Sequence, residues 1–210
     1  VGSTADQLAD YLTEARKRGV DNVVALRGDP PKGETSFTAT EGGFRYANEL
    51  VEFIRERFAD MGVAVAGYPE KHLEAPSMDV DLTNLQRKVD AGADVVVTQL
   101  FYDNADFFKF RDRCTALGIT VPIVPGLLPV TNFAQIQRIT SLCGARLPAE
   151  FVSALESAGD DSDAQFAVGV EFATRQMEEL VREGVPGIHL YVLNKSEAAS
   201  GVLENLGMKK

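Results

Sequence analysis

VVALRGDPP, from Val23 to Pro31, joins an apolar run to a cation, a glycine and a carboxylate, then to two prolines that forbid further strand pairing or an immediate helix. An apolar strand that delivers Arg27, Gly28 and Asp29 to its C-terminal end has the make-up of an active-site edge on a parallel β-structure. The pattern recurs. AVAGYPEKH (Ala64 to His72), DVVVTQLFYD (Asp94 to Asp103), VPIVPG (Val121 to Gly126) and GIHLYVLNK (Gly187 to Lys195) are apolar runs that end in Gly, Pro or polar residues.

These runs predict strands at 22–27, 63–68, 94–99, 121–124 and 187–193; the third is nearly continuous valine, as suits burial on both faces. Helical spacing and end signals predict helices at 1–19, with Ser3 or Thr4 as N-cap, and at 44–61, 79–91, 103–117, 132–142, 147–158, 160–183 and 196–206. The Gly-, Pro-, Thr- and Glu-rich stretch 30–43 is a long loop of the kind that is functional or mobile. Strands alternating with helices indicate an α/β architecture with a parallel sheet. Chemistry at most strand ends, and no GxGxxG fingerprint, favour a (β/α) barrel over a Rossmann sheet. Such a barrel closes with eight strands. The expectation is therefore a single partial domain, 1–210, of the (β/α)8 TIM-barrel type, incomplete with about five of the eight βα units.

With 45% hydrophobic and 25% charged residues the composition is that of a globular protein with one sizeable core. The formal charge of −10 argues against a nucleic-acid partner, because phosphate neutralisation needs a basic face. No apolar run approaches the roughly 20 residues of a membrane helix. Cys114 and Cys143 show no CxxC spacing and read as reduced core thiols of a cytoplasmic protein; no signal peptide is visible. With His72 and His189 the only histidines, no zinc cluster is supported and no metal is expected; His189, inside a strand, reads as buried and hydrogen-bonded.

Gly28 lets backbone approach a flat ligand and Asp29 can accept hydrogen bonds; a plain turn with a solvated Arg27–Asp29 pair fits equally well. Asp81, Asn84 and Lys88 fall at i, i+3 and i+7 of one helix, with Arg87 beside them. That set suits a sugar hydroxyl and a pyrophosphate, although on spacing alone a solvated charged face is the commoner outcome. Tyr68 and His72 can stack on or hydrogen-bond a ligand, and Gln99, ending the valine run, can read a planar amide edge. Lys88 and Lys195 are the lysines a Schiff-base aldolase would use, but neither has an obviously buried setting.

Taken together, ALRGDPP (25–31), YPEKH (68–72), DLTNLQRKVDAGAD (81–94), TQLFYD (98–103), FRDRC (110–114), PGLLPVTNF (125–133) and YVLNKSE (191–197) resemble the methylenetetrahydrofolate reductases along the whole chain. The resemblance implies a (β/α)8 barrel with FAD at the C-terminal strand ends. Hydride would pass from NADH or NADPH through the flavin to methylenetetrahydrofolate, giving 5-methyltetrahydrofolate. It assigns Arg27, Gly28, Asp29, Tyr46, Ala47, Tyr68, His72, Ala75, Asp81, Asn84, Arg87 and Lys88 to FAD, and Asp29, Gln99, Gln135 and Lys195 to folate. Asp29 would lie near the flavin ring, its charge disfavouring the anionic reduced form.

Ile139 stands where the family often has an aromatic residue against the folate, and Lys195 where it often has Arg. Members of the family also carry about three more βα units upstream, with a first-strand Glu as general acid. The resemblance thus implies that this chain alone is inactive and that activity belongs to the complete protein; the open edges of a five-strand sheet, for their part, favour self-association. A non-catalytic flavin-binding fragment, or one half of a split barrel, is the alternative.

Overall fold

The computed structural model describes residues 2–28, 30, 33 and 37–208. Among them are eight α-helices and six short strands: α1 (Ala5–Lys17), β1 (Asn22–Ala25), α2 (Ala47–Arg57), β2 (Gly62–Gly67), α3 (Met78–Asp90), β3 (Val95–Thr98), α4 (Asn104–Ala116), β4 (Ile123–Val124), β5 (Gly126–Leu127), α5 (Phe133–Cys143), α6 (Ala149–Ser157), α7 (Ser162–Arg182), β6 (His189–Leu190) and α8 (Glu197–Asn205). They fall into two compact units, one of Val1–Ala66 with Thr83–Val96, the other of Gly67–Leu82 with Val97–Lys210.

In the first unit α1 starts where Thr4 and Gln7 exchange side-chain and backbone hydrogen bonds, a capping box. Strand β1 pairs in parallel with β2, Val23 opposite Val63 and Ala25 opposite Val65. The next strand follows at once: the Asp94 N–H donates to the Val63 carbonyl at 2.8 Å, while the Asp94 carboxylate accepts the Val63 N–H at 2.6 Å. Arg55 ties the C-terminal end of α2 to the same corner, donating to the Gly92 and Met61 carbonyls, each at 2.7 Å, and pairing with Asp94. Burial alone would raise the Asp94 carboxyl pKa, but the Val63 amide and the Arg55 guanidinium bring it below the usual value. Helix α2 begins at Ala47 instead of the expected 44, because Glu49 accepts the Arg45 and Tyr46 N–H groups ahead of it.

Strand β1 is shorter than expected and open on one side. It ends at Ala25, and Val24 and Leu26 are 58% and 52% exposed. Strand β3 meets the expectation of two covered faces, with none of its residues exposed.

In the second unit the Gln99 N–H donates to the Gly67 carbonyl at 2.8 Å, and β5 pairs in parallel with β6, Gly126 opposite His189 and Leu127 opposite Leu190. Pro125, which has no N–H to give, separates β4 from β5, so six strands stand where five were expected. Strand β6 covers two residues of the expected 187–193, and the backbone beyond it turns left-handed at Leu193 and Asn194. His189 is exposed, not buried, and its ring meets Tyr191 edge-on at 4.6 Å.

The core of this unit joins Leu100, Tyr102, Leu128, Val130, Ile136, Phe151 and Leu155. The Phe151 and Phe172 rings stack at 3.9 Å, and the Tyr102 hydroxyl donates to the Leu128 carbonyl at 3.1 Å. Buried amides add polar fixings. Gln176 donates to the Phe101 carbonyl at 3.0 Å, and Asn104 donates to the Gln176 carbonyl and to Glu179. Helix α7 passes so close to Val130 that a Cβ on Gly169 would overlap the Val130 carbonyl oxygen.

The segment after β2 is anchored by Glu70, whose carboxylate accepts the Arg146 backbone N–H and Nε, each at 3.0 Å; Arg146 also bonds Asp106 at 2.6 Å. Burial raises the Glu70 pKa, and the bonds from Arg146 only partly offset it.

Two outcomes follow from this packing. Gly169→Ala should gain about 1 kcal/mol of helix propensity and lose more through backbone displacement at Val130, a net loss of about 2 kcal/mol in a urea unfolding curve of the chain; an unchanged midpoint would refute the close approach. For Glu70 the folded pKa lies above the ordinary 4.5, so the native state binds the extra proton and stability falls as pH rises from there through the folded value. The unfolding free energy of Glu70→Gln relative to the parent should therefore improve from pH 4 to pH 7; a difference that stays flat with pH would contradict it.

Candidate functional site

In the first unit Arg27 lies just past β1, its guanidinium 4.7 Å above the Phe37 ring and its Nε donating to the Gly28 carbonyl at 3.3 Å. Gly28 has φ 81°, a left-handed conformation for which the absent Cβ is the natural solution. Asp29 lies outside the described residues. Tyr46 is 53% exposed at the N-terminus of α2, and Ala47 follows half-buried. On α3, Arg87 donates to Asn84 at 3.1 Å with both side chains exposed, while Lys88 reaches back to the Ala66 carbonyl of β2 at 2.5 Å.

In the second unit Tyr68 and His72 meet edge-to-face at 4.7 Å. Lys71 between them has φ 82°, and its ammonium closes the turn on the His72 and Ala75 carbonyls at 3.0 and 2.6 Å. His72 Nδ1 accepts the Glu74 N–H at 3.1 Å, leaving Nε2 as the ring nitrogen that can meet a ligand. Asp81 is 8% exposed and accepts the His72 N–H at 2.9 Å, so it shapes this loop and is no solvated member of a helix face. Ala75 is buried.

Two cavities of the second unit take the remaining residues. A narrow one holds Gln99 beside Tyr68, Glu70 and Cys143. The Gln99 side-chain oxygen accepts the Leu100 N–H at 2.9 Å, which turns its amide group back on the strand end. The Cys143 thiol pKa is raised, by burial first and then by the Glu70 charge.

The larger of the two is an open cleft with a cavity volume of about 50 Å³, whose walls include Leu128, Ile136, Ile139, Gln135, Tyr191 and Lys195. Gln135 reaches it from the first turn of α5, which Asn132 caps through the Gln135 N–H at 2.8 Å. Tyr191 is held by its hydroxyl on the Thr98 carbonyl at 2.9 Å, and burial raises its pKa. Lys195 is exposed at the rim. An apolar slot edged by the Asn132 and Gln135 amides and one cation suits a flat ring bearing an anionic end.

Sequence reasoning gave Tyr191, Leu193 and Ile136 no role, although all three line this cleft and the first two stand in the quoted GIHLYVLNK. Apolar spacing alone does not show which residues border a cavity. Among the described residues no group of three or more His, Cys, Asp or Glu is placed to hold a metal ion, and no helix is long and apolar enough to cross a membrane.

Comparison with known proteins extends this picture. A solved structure titled as an uncharacterised protein from Clostridium thermocellum that binds two copies of 5-methyl-5,6,7,8-tetrahydrofolic acid matches over 95% of this chain and 67% of its own length, with a TM-score of 0.57 and 15% identity; the likeness is one of fold. Methylenetetrahydrofolate reductase (NADH) 1 of Arabidopsis thaliana is 44% identical over 97% of the chain, which spans 36% of that protein. The 5,10-methylenetetrahydrofolate reductase of Escherichia coli (strain K12) is 38% identical over 100% of the chain, which spans 68% of that protein. The family model for methylenetetrahydrofolate reductase matches residues 1–207, and on that match, with these identities beside it, the chain belongs to the methylenetetrahydrofolate reductase family.

Proposed function

We propose that this chain supplies flavin- and folate-binding residues to an FAD-dependent reductase that converts 5,10-methylenetetrahydrofolate to 5-methyltetrahydrofolate with NADH or NADPH as the hydride donor. The observation that carries the reading is the cleft of the second unit, where Gln135, Ile139 and Lys195 line one slot. A pterin ring needs paired donor and acceptor groups, its aromatic linker an apolar wall, and its glutamate end a cation; Gln135, Ile139 with Leu128, and Lys195 match these in turn. Gln99 would add a second amide. The architecture that goes with this reading is part of a (β/α)8 barrel.

Residues of each unit, taken separately, suit parts of FAD. Arg87 and Lys88 supply cations for a pyrophosphate, Asn84 an exposed amide and Asp81 an acceptor, while Gly28 in its left-handed turn leaves room for a flat ring beside backbone. Arg27, Tyr46, Ala47, Tyr68, His72 and Ala75 complete the set, with Asp29 tuning the charge beside the ring. When bound, FAD would supply two-electron hydride chemistry. The chain's own residues bind and orient: Lys71 and Asp81 fix the backbone that carries His72, and Lys195 holds the anionic end of the substrate.

Activity is expected of the complete protein and not of this chain alone. The test is the visible spectrum of the complete protein after incubation with FAD and desalting, followed by an assay of NAD(P)H-dependent methylenetetrahydrofolate reduction. A retained flavin band is expected, with FAD bound about tenfold more weakly in Arg87→Ala, the loss of one charge-assisted contact. A folded but colourless protein would sink the flavin assignment, and a yellow protein without folate reduction would sink the reaction.

A further inference from the structure

Three non-glycine residues have positive φ among those described, and two are adjacent: Leu193 at 46° and Asn194 at 62°, in the turn between β6 and α8. Asparagine visits this region readily, whereas leucine does so only when the surroundings impose it. Packing of the leucine does not impose it, since Leu193 is 55% exposed.

The frame around the turn does. Upstream, the Tyr191 N–H donates to the Leu127 carbonyl at 2.8 Å and its hydroxyl is fixed on Thr98. Downstream, Ala198, Ala199 and Val202 bury the first turns of α8. Between these anchors the Lys195 N–H closes on the Val192 carbonyl at 2.7 Å.

The result bears on the cleft. Val192, Leu193 and Lys195 all line it, together with Gln135 and Ile139. The left-handed pair reverses the chain there, and the Lys195 N–H on the Val192 carbonyl draws Lys195 back toward the strand end, beside the Tyr191 wall.

We infer that the Leu193–Asn194 turn is a positioning device for the cleft, with Asn194 acting through the backbone to set the Leu193 wall and the Lys195 amine against the ligand. This rests on the reading that the cleft takes the folate. Asn194 itself does not border the cleft, so its part is conformational.

The test uses the complete flavoprotein, with 5,10-methylenetetrahydrofolate as substrate and flavin absorbance as the check on folding. Asn194→Gly, which keeps the left-handed backbone available, should hold KM within about twofold of the parent. Asn194→Val, a β-branched residue that disfavours it, should raise KM at least tenfold while kcat changes less than threefold. Should Asn194→Val fail to retain flavin, Asn194→Ala takes its place and should raise KM above that of Asn194→Gly. Equal KM in the Gly and Val variants, or a parallel fall of kcat and flavin content with no rise in KM, would overturn the inference. Lys195→Met separates the two levels: if it leaves KM unmoved, the folate reading of the cleft falls and takes the inference with it; if it raises KM while the Asn194 variants do not, the turn's role alone is refuted.

Discussion

A single buried threonine joins three pieces of chain in the larger unit. The Thr98 hydroxyl oxygen accepts the Gly126 N–H at 2.9 Å, and the Thr98 carbonyl accepts the Tyr191 hydroxyl at 2.9 Å. The clasp closes because Gly126 has no side chain: a Cβ there would overlap the Thr98 carbonyl and press on the Tyr191 ring. Both acceptors are shielded from water, so losing either partner would strand a buried polar group. From this point the cleft descends, since Tyr191 is both a partner in the clasp and part of the cleft wall, and the turn beyond it takes its direction from where that ring is held.

The loop after β2 works by a different rule. It has little apolar burial of its own, and side chains bonded to backbone shape it: the Lys71 ammonium on two carbonyls, the Asp81 carboxylate on the His72 N–H, and Glu70 on Arg146. Such bonds fix a loop without filling it, which leaves the Tyr68 ring, with His72 edge-on against it, at the wall of a small cavity instead of inside a core.

Helices were easily read because periodicity and caps coincide: Thr4, Asp103, Asn132 and Asp161 all accept N–H groups of the helices they precede. Strand lengths were read less well. An apolar run such as Val23 to Leu26 does not reveal which of its faces will be covered, and the turn after β6 uses a backbone conformation that leucine does not advertise. Asn194 was the available signal, being a residue type that tolerates left-handed φ. Asp81 was placed on the right helix, but as part of an exposed stripe; its burial follows from the loop that folds back onto it, a relation of residues nine apart that helical spacing does not contain. The meeting of Gln135, Ile139 and Lys195 in one cleft rested on the family resemblance, because it joins segments about 60 residues apart that no local pattern links.

Cys114 sits fully buried on the inner face of α4, and burial carries its thiol pKa to about 12. At neutral pH only about one such thiol in 10⁵ would be ionised even if a reagent could reach it, so alkylation and disulfide exchange must wait for α4 to lift from its neighbours. The rate at which this sulfur is modified is therefore a clock for helix opening, built into the chain without any label having to be added.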